Sequence, residues 1–467
     1  MARPPSLTLS RGTLVMYDAP EAVMPLFTWD ARSQCYRAKG QAYRTVMETL
    51  MAAGIPVRDQ AADFEKLTLP LARETPPYPH QIRGLNAWKK AGRQGVVVLP
   101  TGGGKTFLAQ LAMRDTPRST LICVPTLDLM GQWYSGLLAA FPDANIGLLG
   151  GGSHDETPIL IATYDSATRY AEELAGRFAL LICDEVHHLP SDFYRTIAEM
   201  SLAPYRLGLS ATPKRSDGRE ADLDTLIGPI VYTASPDDLA GNTLAPYHEE
   251  IIKVRLSQGE QARYDDLIRQ RNDFLRQSNI NIGSIDGWKD FIRAGSTPQG
   301  RAAMLAHNQA KNLAYGTEGK LRVMEELLAN HPDERAIIFN RDNATVYRIS
   351  REFLIPCITH ETPVKERHAT LEKFKCGEYQ WLVTANVLDE GVDVPEASVA
   401  IVLSGTATER QYIQRLGRIL RRSQNKHAVL YEVITEGTSE ERVSQRRRGQ
   451  DGQTYAEPDW ENFNAPH

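Results

Sequence analysis

The chain has little cysteine, and none of it is arranged to do chemistry. Its five thiols, Cys35, Cys123, Cys183, Cys357 and Cys376, form no CxxC pair and have no histidine at ligand spacing. That excludes a zinc finger and an iron–sulfur cluster. Cys123 and Cys183 lie in apolar runs, which suits buried thiols in a reducing compartment. No apolar run approaches the roughly 18 residues that a membrane span needs. The opening MARPPSLTLSRG lacks the apolar core of a secretion signal. A soluble, cytoplasmic protein with no membrane partner is expected. Charge of one sign is lacking too: 53 Lys and Arg face 58 Asp and Glu, a net −5. Any surface for nucleic acid must therefore be a local patch.

What is present is ample. The 467 residues suffice for about three domains. Residues 1–70 read as a small α+β module. Leu7–Met16 is strand-like with a turn at Arg11-Gly12, and Ala42–Ala53 puts Val46, Met47, Leu50 and Met51 on one helical face that Gly54 can end. The proline-rich Thr75-Pro76-Pro77-Tyr78-Pro79 reads as a linker or a rigid entry.

Near-continuous apolar runs then recur at Val96–Leu99, Thr120–Val124, Ile159–Thr163, Leu180–Cys183 and Arg206–Leu209. A second series comes at Ala336–Phe339, Trp381–Thr384, Val399–Leu403 and Ala428–Val433. Such runs suit parallel strands covered on both faces by crossover helices. The expected fold is α/β, with parallel-sheet domains over 71–245 and 321–449 and strand 247–256 as a possible part of the second. Residues 450–467 have little apolar periodicity and read as a mobile tail.

Between the sheets, 257–320 is polar, helical and rich in arginine, with Tyr264, Phe274, Trp288 and Phe291 interleaved. Two readings stand: a solvated helical insertion, or a hairpin that grips nucleic acid through phosphates and stacking.

The strand Val96–Leu99 runs into Pro100-Thr101-Gly102-Gly103-Gly104-Lys105-Thr106 and then a helical pattern. Strand, glycine-rich loop and helix in this order make a phosphate cradle. Backbone N–H groups close on phosphate oxygens, and the helix N-terminus adds its positive end. Thr101, Gly102, Gly103 and Gly104 would line the cradle for ATP. Lys105 would reach the β- and γ-phosphates, and the Thr106 hydroxyl would ligate Mg²⁺. Leu99 occupies the first glycine position of the strict GxxxxGK[ST] form.

Phe178–Cys183 is an apolar strand ending in Asp184-Glu185-Val186-His187-His188. Carboxylates there sit at the carboxyl edge of a parallel sheet, where ligands bind. Asp184 would hold Mg²⁺, and Glu185 would orient or deprotonate the attacking water. Ser210-Ala211-Thr212 could relay between this pair and the second domain, or satisfy local backbone. In the second series, Gly391 permits a tight turn and Asp393 could contact the ribose. Gln414, Arg418 and Arg421 lie on a helix-like run, and Arg418 and Arg421 share a face. Arginines placed there could clamp the γ-phosphate on domain closure, or simply end a solvated helix.

In order, these segments resemble the motif series of superfamily 2 helicases from about Tyr78 to Arg422. Gln81 matches the glutamine that reads adenine. Val124-Pro125-Thr126-Leu127, Gln132-Trp133 and Ala162-Thr163-Tyr164 resemble strand-tracking motifs. Asp184–Pro190, Ile338–Asn343, Phe353–Pro356 with Ile358-Thr359-His360, Val387–Pro395 and Tyr412–Arg421 are similar to the XPB family in its short archaeal and bacterial form. The resemblance implies two RecA-like domains, residues 1–70 as a damage-recognition module and 257–320 as a thumb-like insertion. It implies a DNA-dependent ATPase with 3′–5′ helicase or duplex-translocase action in repair, on forked, single-stranded or duplex DNA in the nucleoid. A nuclease partner is implied as well. A translocase serving that nuclease, or a nucleotide-gated platform, is the alternative. One departure stands out. The family's Arg-Glu-Asp element corresponds here to Arg215-Ser216-Asp217, with Glu220 nearby. Weak strand separation with retained DNA-stimulated ATPase is expected.

Overall fold

The computed structural model describes residues 4–213, 217–239, 247–282, 284–385, 397–404, 428–441 and 444. They fall into two compact units divided after Leu239.

The first unit opens with a five-stranded sheet, ordered Thr28–Asp30, Cys35–Lys39, Thr13–Met16, Ser6–Ser10, Arg58–Asp59. The strands Ser6–Ser10 and Thr13–Met16 pair antiparallel around a two-residue turn. Arg11 and Gly12 have φ of 50° and 67°, the left-handed pair that matches strand twist. The helix Tyr43–Ala52 buries Tyr43, Val46 and Leu50 against this sheet. Met51, expected on the same face, is 77% exposed. It is one residue, or about 100°, past Leu50, so it leaves the stripe that Tyr43, Val46 and Leu50 define.

This module is welded to the remainder of the first unit. Leu202 packs into its core. Arg44 donates to the carbonyls of Gly92 and Pro204 at 2.6 and 3.1 Å, and the Asp63 amide donates to the Gly176 carbonyl at 2.9 Å.

The larger sheet of the unit has eight strands. Their order is Ile230–Thr233, Gln94–Val98, Tyr205–Ser210, Leu180–Cys183, Thr120–Val124, Ile159–Thr163, Ile146–Gly150, Ser153–His154. All pairs are parallel except the last. The central strands are buried on both faces, which is why they read as continuous apolar runs. Ile146–Gly150 and Ile230–Thr233 carry no such signature. The first is broken by Gly147 and Gly150, and the second, at the sheet edge, has no buried residue.

The second unit has a six-stranded parallel sheet. Its order is Tyr247–Val254, Ala428–Thr435, Val399–Val402, Ala336–Phe339, Trp381–Thr384, Cys357–Ile358. Tyr247–Val254 pairs along its whole length with Ala428–Thr435. The insertion is three helices, Gln258–Gln277, Ile285–Ala294 and Pro298–Tyr315. Ser257 and Glu260 form a capping box at its start, and Ser284 and Thr297 cap the next two helices.

For Tyr264, Trp288 and Phe291, stacking on nucleic acid is a reading the fold corrects. Tyr264, Trp288 and Phe291 are 7%, 3% and 0% exposed and form two small cores with alanines of Pro298–Tyr315. The helices, of 20, 10 and 18 residues, pack these rings with Leu267 and Leu275 into their own cores. Arg269, Arg276, Lys289 and Arg293 each pair with an aspartate three residues away, so the local positive charge is largely offset.

Candidate functional site

The site lies in the first unit, at the carboxyl edge of the eight-stranded sheet. Gln94–Val98 leads into the glycine loop, and the helix Lys105–Asp115 leaves it. Gly104 sits left-handed at the helix start, with φ 79° and ψ 39°. A Cβ at Gly104 would lie 2.1 Å from Gln81 Nε2.

That closeness has a purpose, because the preceding helix braces the loop. Pro79–Lys90 begins in a capping box in which the Tyr78 amide donates to Gln81 Oε1 at 2.9 Å. Gln81 Nε2 donates to the Gly104 carbonyl at 3.3 Å, and His80 Nε2 donates to the Gly103 carbonyl at 2.8 Å. Burial holds the His80 pKa below its ordinary value, which keeps the ring neutral with that N–H as donor. Gln81 is 2% exposed. Its amide is committed to the loop, so contact with adenine would require it to turn out.

Lys105 Nζ pairs with Glu185 Oε1 at 2.7 Å, joining the cradle to the acidic pair. Asp184 is buried, and its amide donates to the Cys123 carbonyl of the neighbouring strand at 2.9 Å. Its carboxylate is held from both sides. Trp133 Nε1 donates to Oδ2 at 2.8 Å, and the Glu185 amide donates to Oδ1 at 3.0 Å. Burial pushes the Asp184 carboxyl above the usual carboxylate range, Lys105 opposes that, and Glu185 adds to it. A divalent cation at this position would therefore be favoured by the carboxylate it neutralises.

Glu185 has φ 45° and ψ 53°, left-handed for a residue with a side chain. Backbone held in so sparsely populated a region is a feature of working sites. Its Oε2 lies 3.6 Å from His187 Nδ1, which is 3.2 Å from Ser210 Oγ. Ser210 Oγ also accepts from the Thr212 amide at 3.1 Å. The serine expected to relay from the acidic pair thus sits one imidazole away from it.

The structure brings Gln81, the glycine loop, Lys105, Thr106, Asp184 and Glu185 to one edge of one sheet. Gly391, Asp393, Gln414, Arg418, Arg421, Arg215 and Ser216 lie outside the described residues, as does 450–467. Two supporting contacts have no signal in the sequence, although Trp133 itself stands in the Gln132-Trp133 segment. Trp133 is 51 residues from Asp184, and His80 is 23 from Gly103, so no local pattern couples them. No helix among the described residues is long and apolar enough to cross a membrane.

Comparison with known proteins finds matches along most of the chain. Residues 74–215 match the family described as type III restriction enzyme, res subunit, and 319–423 match the helicase conserved C-terminal domain. Residues 7–61 match the xeroderma pigmentosum group B helicase damage recognition domain. The chain is 40% identical over 430 residues to the DNA 3′-5′ translocase XPB2 of Sulfurisphaera tokodaii, covering 92% of this chain and 97% of that one. It is 30% identical over 406 residues to the DNA 3′-5′ helicase XPB of Mycobacterium tuberculosis, covering 83% of this chain and 66% of that one. The crystal structure of the Pyrococcus furiosus Hef helicase domain shares the fold at TM-score 0.52 and 19% identity, covering 79% of this chain and 98% of that one.

Proposed function

This chain belongs to the XPB family of helicases, and from that premise we propose that it is an ATP-hydrolysing DNA motor, a 3′–5′ helicase or translocase acting in repair. The observation that carries the reading is the Lys105–Glu185 pair at 2.7 Å beside the buried Asp184. In this reading Lys105 is the phosphate-binding cation and Glu185 the water-activating carboxylate, paired at one sheet edge. The closeness of that match to a translocase over 97% of its length supports the choice of substrate.

In this reading Thr101, Gly102, Gly103 and Gly104 turn backbone N–H groups on the phosphates. Lys105 leaves Glu185 for the β- and γ-phosphates. Thr106 and Asp184 supply hard oxygen donors, which suit Mg²⁺, an ion that needs only one or two protein carboxylates. That ion, when bound, would neutralise charge developing on the phosphoryl oxygens. Glu185, freed from Lys105, orients the attacking water and takes its proton. We assign Asp393 and Gly391 to the ribose side. Gln414, Arg418 and Arg421 would meet the γ-phosphate from the second unit, so that hydrolysis waits on closure. A nuclease partner and a place in the nucleoid belong to the same proposal.

The test is ATPase rate against duplex, forked and single-stranded DNA and against RNA. Stimulation by DNA, and its loss in Lys105→Ala, is the expected result. An ATPase indifferent to every nucleic acid would overturn the motor reading. A nucleotide-gated platform, by contrast, would support a partner nuclease even as Lys105→Ala.

A further inference from the structure

The peptide linking Asp184 to Glu185 is held on both of its polar sides. Its N–H, on Glu185, donates to Asp184 Oδ1 at 3.0 Å. Its C=O accepts from the Tyr164 hydroxyl at 2.9 Å. The strained left-handed turn at Glu185 comes directly after it. Tyr164 is 1% exposed, and burial pushes its hydroxyl pKa well up, so it stays a donor.

Tyr164 is also the residue that succeeds the strand Ile159–Thr163 and opens the helix Tyr164–Arg169. Its ring lies 5.3 Å from Tyr194 and 6.0 Å from His188, and His188 lies 4.4 Å from His187. One side chain thus joins the segment Ala162–Tyr164, the acidic pair and the histidines behind it.

We propose that Tyr164 is a positioning residue for hydrolysis, clamping the Asp184–Glu185 peptide in the turn that aims Glu185 and tying that turn to the strand-tracking segment Ala162–Tyr164. The proposal rests on the motor reading for the meaning of that segment. Its logic is the order in which tethers are given up. Lys105 holds Glu185 at 2.7 Å, but phosphate draws Lys105 away. Asp184 Oδ1 holds the Glu185 amide, but a cation on that carboxylate competes for the oxygen. The Tyr164 hydroxyl faces the carbonyl side and has no such rival. When the site is loaded, it alone of these three still opposes the rotation of the peptide out of the left-handed state. Ala162, Thr163 and Tyr164 are buried, so DNA would act on the clamp by shifting this segment rather than by touching it.

The experiment compares Tyr164→Phe with Tyr194→Phe. The second removes a hydroxyl from the same ring cluster, one that donates to Asp165 Oδ1 at 2.8 Å and touches neither carboxylate of the pair. Two readouts are used: steady-state ATPase with and without DNA, and amide hydrogen exchange over 184–188 in the protein loaded with Mg²⁺ and a non-hydrolysable ATP analogue. In Tyr164→Phe, kcat on DNA falls at least about fivefold with the KM for ATP unchanged. Exchange over 184–188 accelerates while the sheet strands keep their protection. Tyr194→Phe changes neither. Equal effects in both variants, a loss carried by KM, or wild-type exchange in Tyr164→Phe overturns the clamp. If the wild-type ATPase ignores DNA, the motor reading fails instead, and hydrogen exchange still decides the clamp.

Discussion

Replacing Gly104 by alanine puts a methyl group where Gln81 now lies. The ideal Cβ would come within 2.1 Å of Gln81 Nε2, and the backbone there has φ 79°. Two costs result. An L side chain in the left-handed region costs roughly 1–2 kcal/mol. The buried Gln81 amide must also leave, losing its bonds to the Tyr78 amide and the Gly104 carbonyl at about 1 kcal/mol each. Together the destabilisation is about 3–4 kcal/mol. Guanidinium denaturation monitored through the buried Trp88 and Trp133 of the first unit reads it directly. The same substitution in a Gln81→Ala background meets no amide and keeps only the backbone cost of roughly 1–2 kcal/mol. A coupling of about 2 kcal/mol between the two positions is therefore expected. Should Gly104→Ala cost the same in both backgrounds, or less than about 1 kcal/mol alone, Gln81 does not brace the loop and the reasoning fails.

Other parts of the molecule give further expected outcomes. Glu185→Gln is expected to lower kcat by about 10² or more while keeping or raising ATP affinity, since Lys105 is then free of its 2.7 Å partner; intact turnover removes the catalytic assignment. In the second unit Lys320 and Glu440 form an ion pair at 1% and 3% exposure, and Lys320 also donates to the Leu403 carbonyl. Lys320→Met, which strands the carboxylate, is expected to cost about 3–5 kcal/mol in denaturant melts, whereas pairing it with Glu440→Leu recovers most of that; a double variant as unstable as the single one counts against the account. At Asp115, burial raises the carboxyl pKa, but Lys89 and Arg93 outweigh it and hold the group below the usual range. A depressed folded pKa means stability present above the unfolded value near 3.9 and lost as pH falls through the folded one. The Tm gap between wild type and Asp115→Asn should thus be open at pH 7 and close below about pH 4; a gap that persists in acid refutes the pairing. Ser216→Glu, which restores the family's Arg-Glu-Asp pattern, is expected to raise strand separation per ATP hydrolysed in a forked-duplex assay, and no change would show that Ser216 is not the limit on unwinding.

Much of the architecture is legible in the chain. Thr120–Val124, Ile159–Thr163, Leu180–Cys183, Ala336–Phe339 and Trp381–Thr384 are strands at the expected bounds. These strands, buried on both faces, are nearly all apolar, broken only by threonines such as Thr120 and Thr384, so composition alone marks them. Edge and glycine-broken strands carry no such mark, and Ile230–Thr233 and Ile146–Gly150 escape for that reason. The insertion misleads in the opposite direction. Interleaved arginines and aromatics look alike whether rings face solvent or a core, and only packing distinguishes them.

The sequence by itself determined which groups make up the candidate site. Glycines before Lys105-Thr106, and Asp184-Glu185 after an apolar strand, are local patterns, because a phosphate cradle and a strand-end carboxylate are each built from consecutive residues. What only the tertiary structure decided is how those groups are held. His80 on Gly103, Gln81 on Gly104, Trp133 on Asp184 and Tyr164 on the Asp184 carbonyl join positions 20 to 51 residues apart. A parallel sheet with crossover helices gathers distant strand ends at one edge, and no spacing rule in the chain records which side chain meets which there.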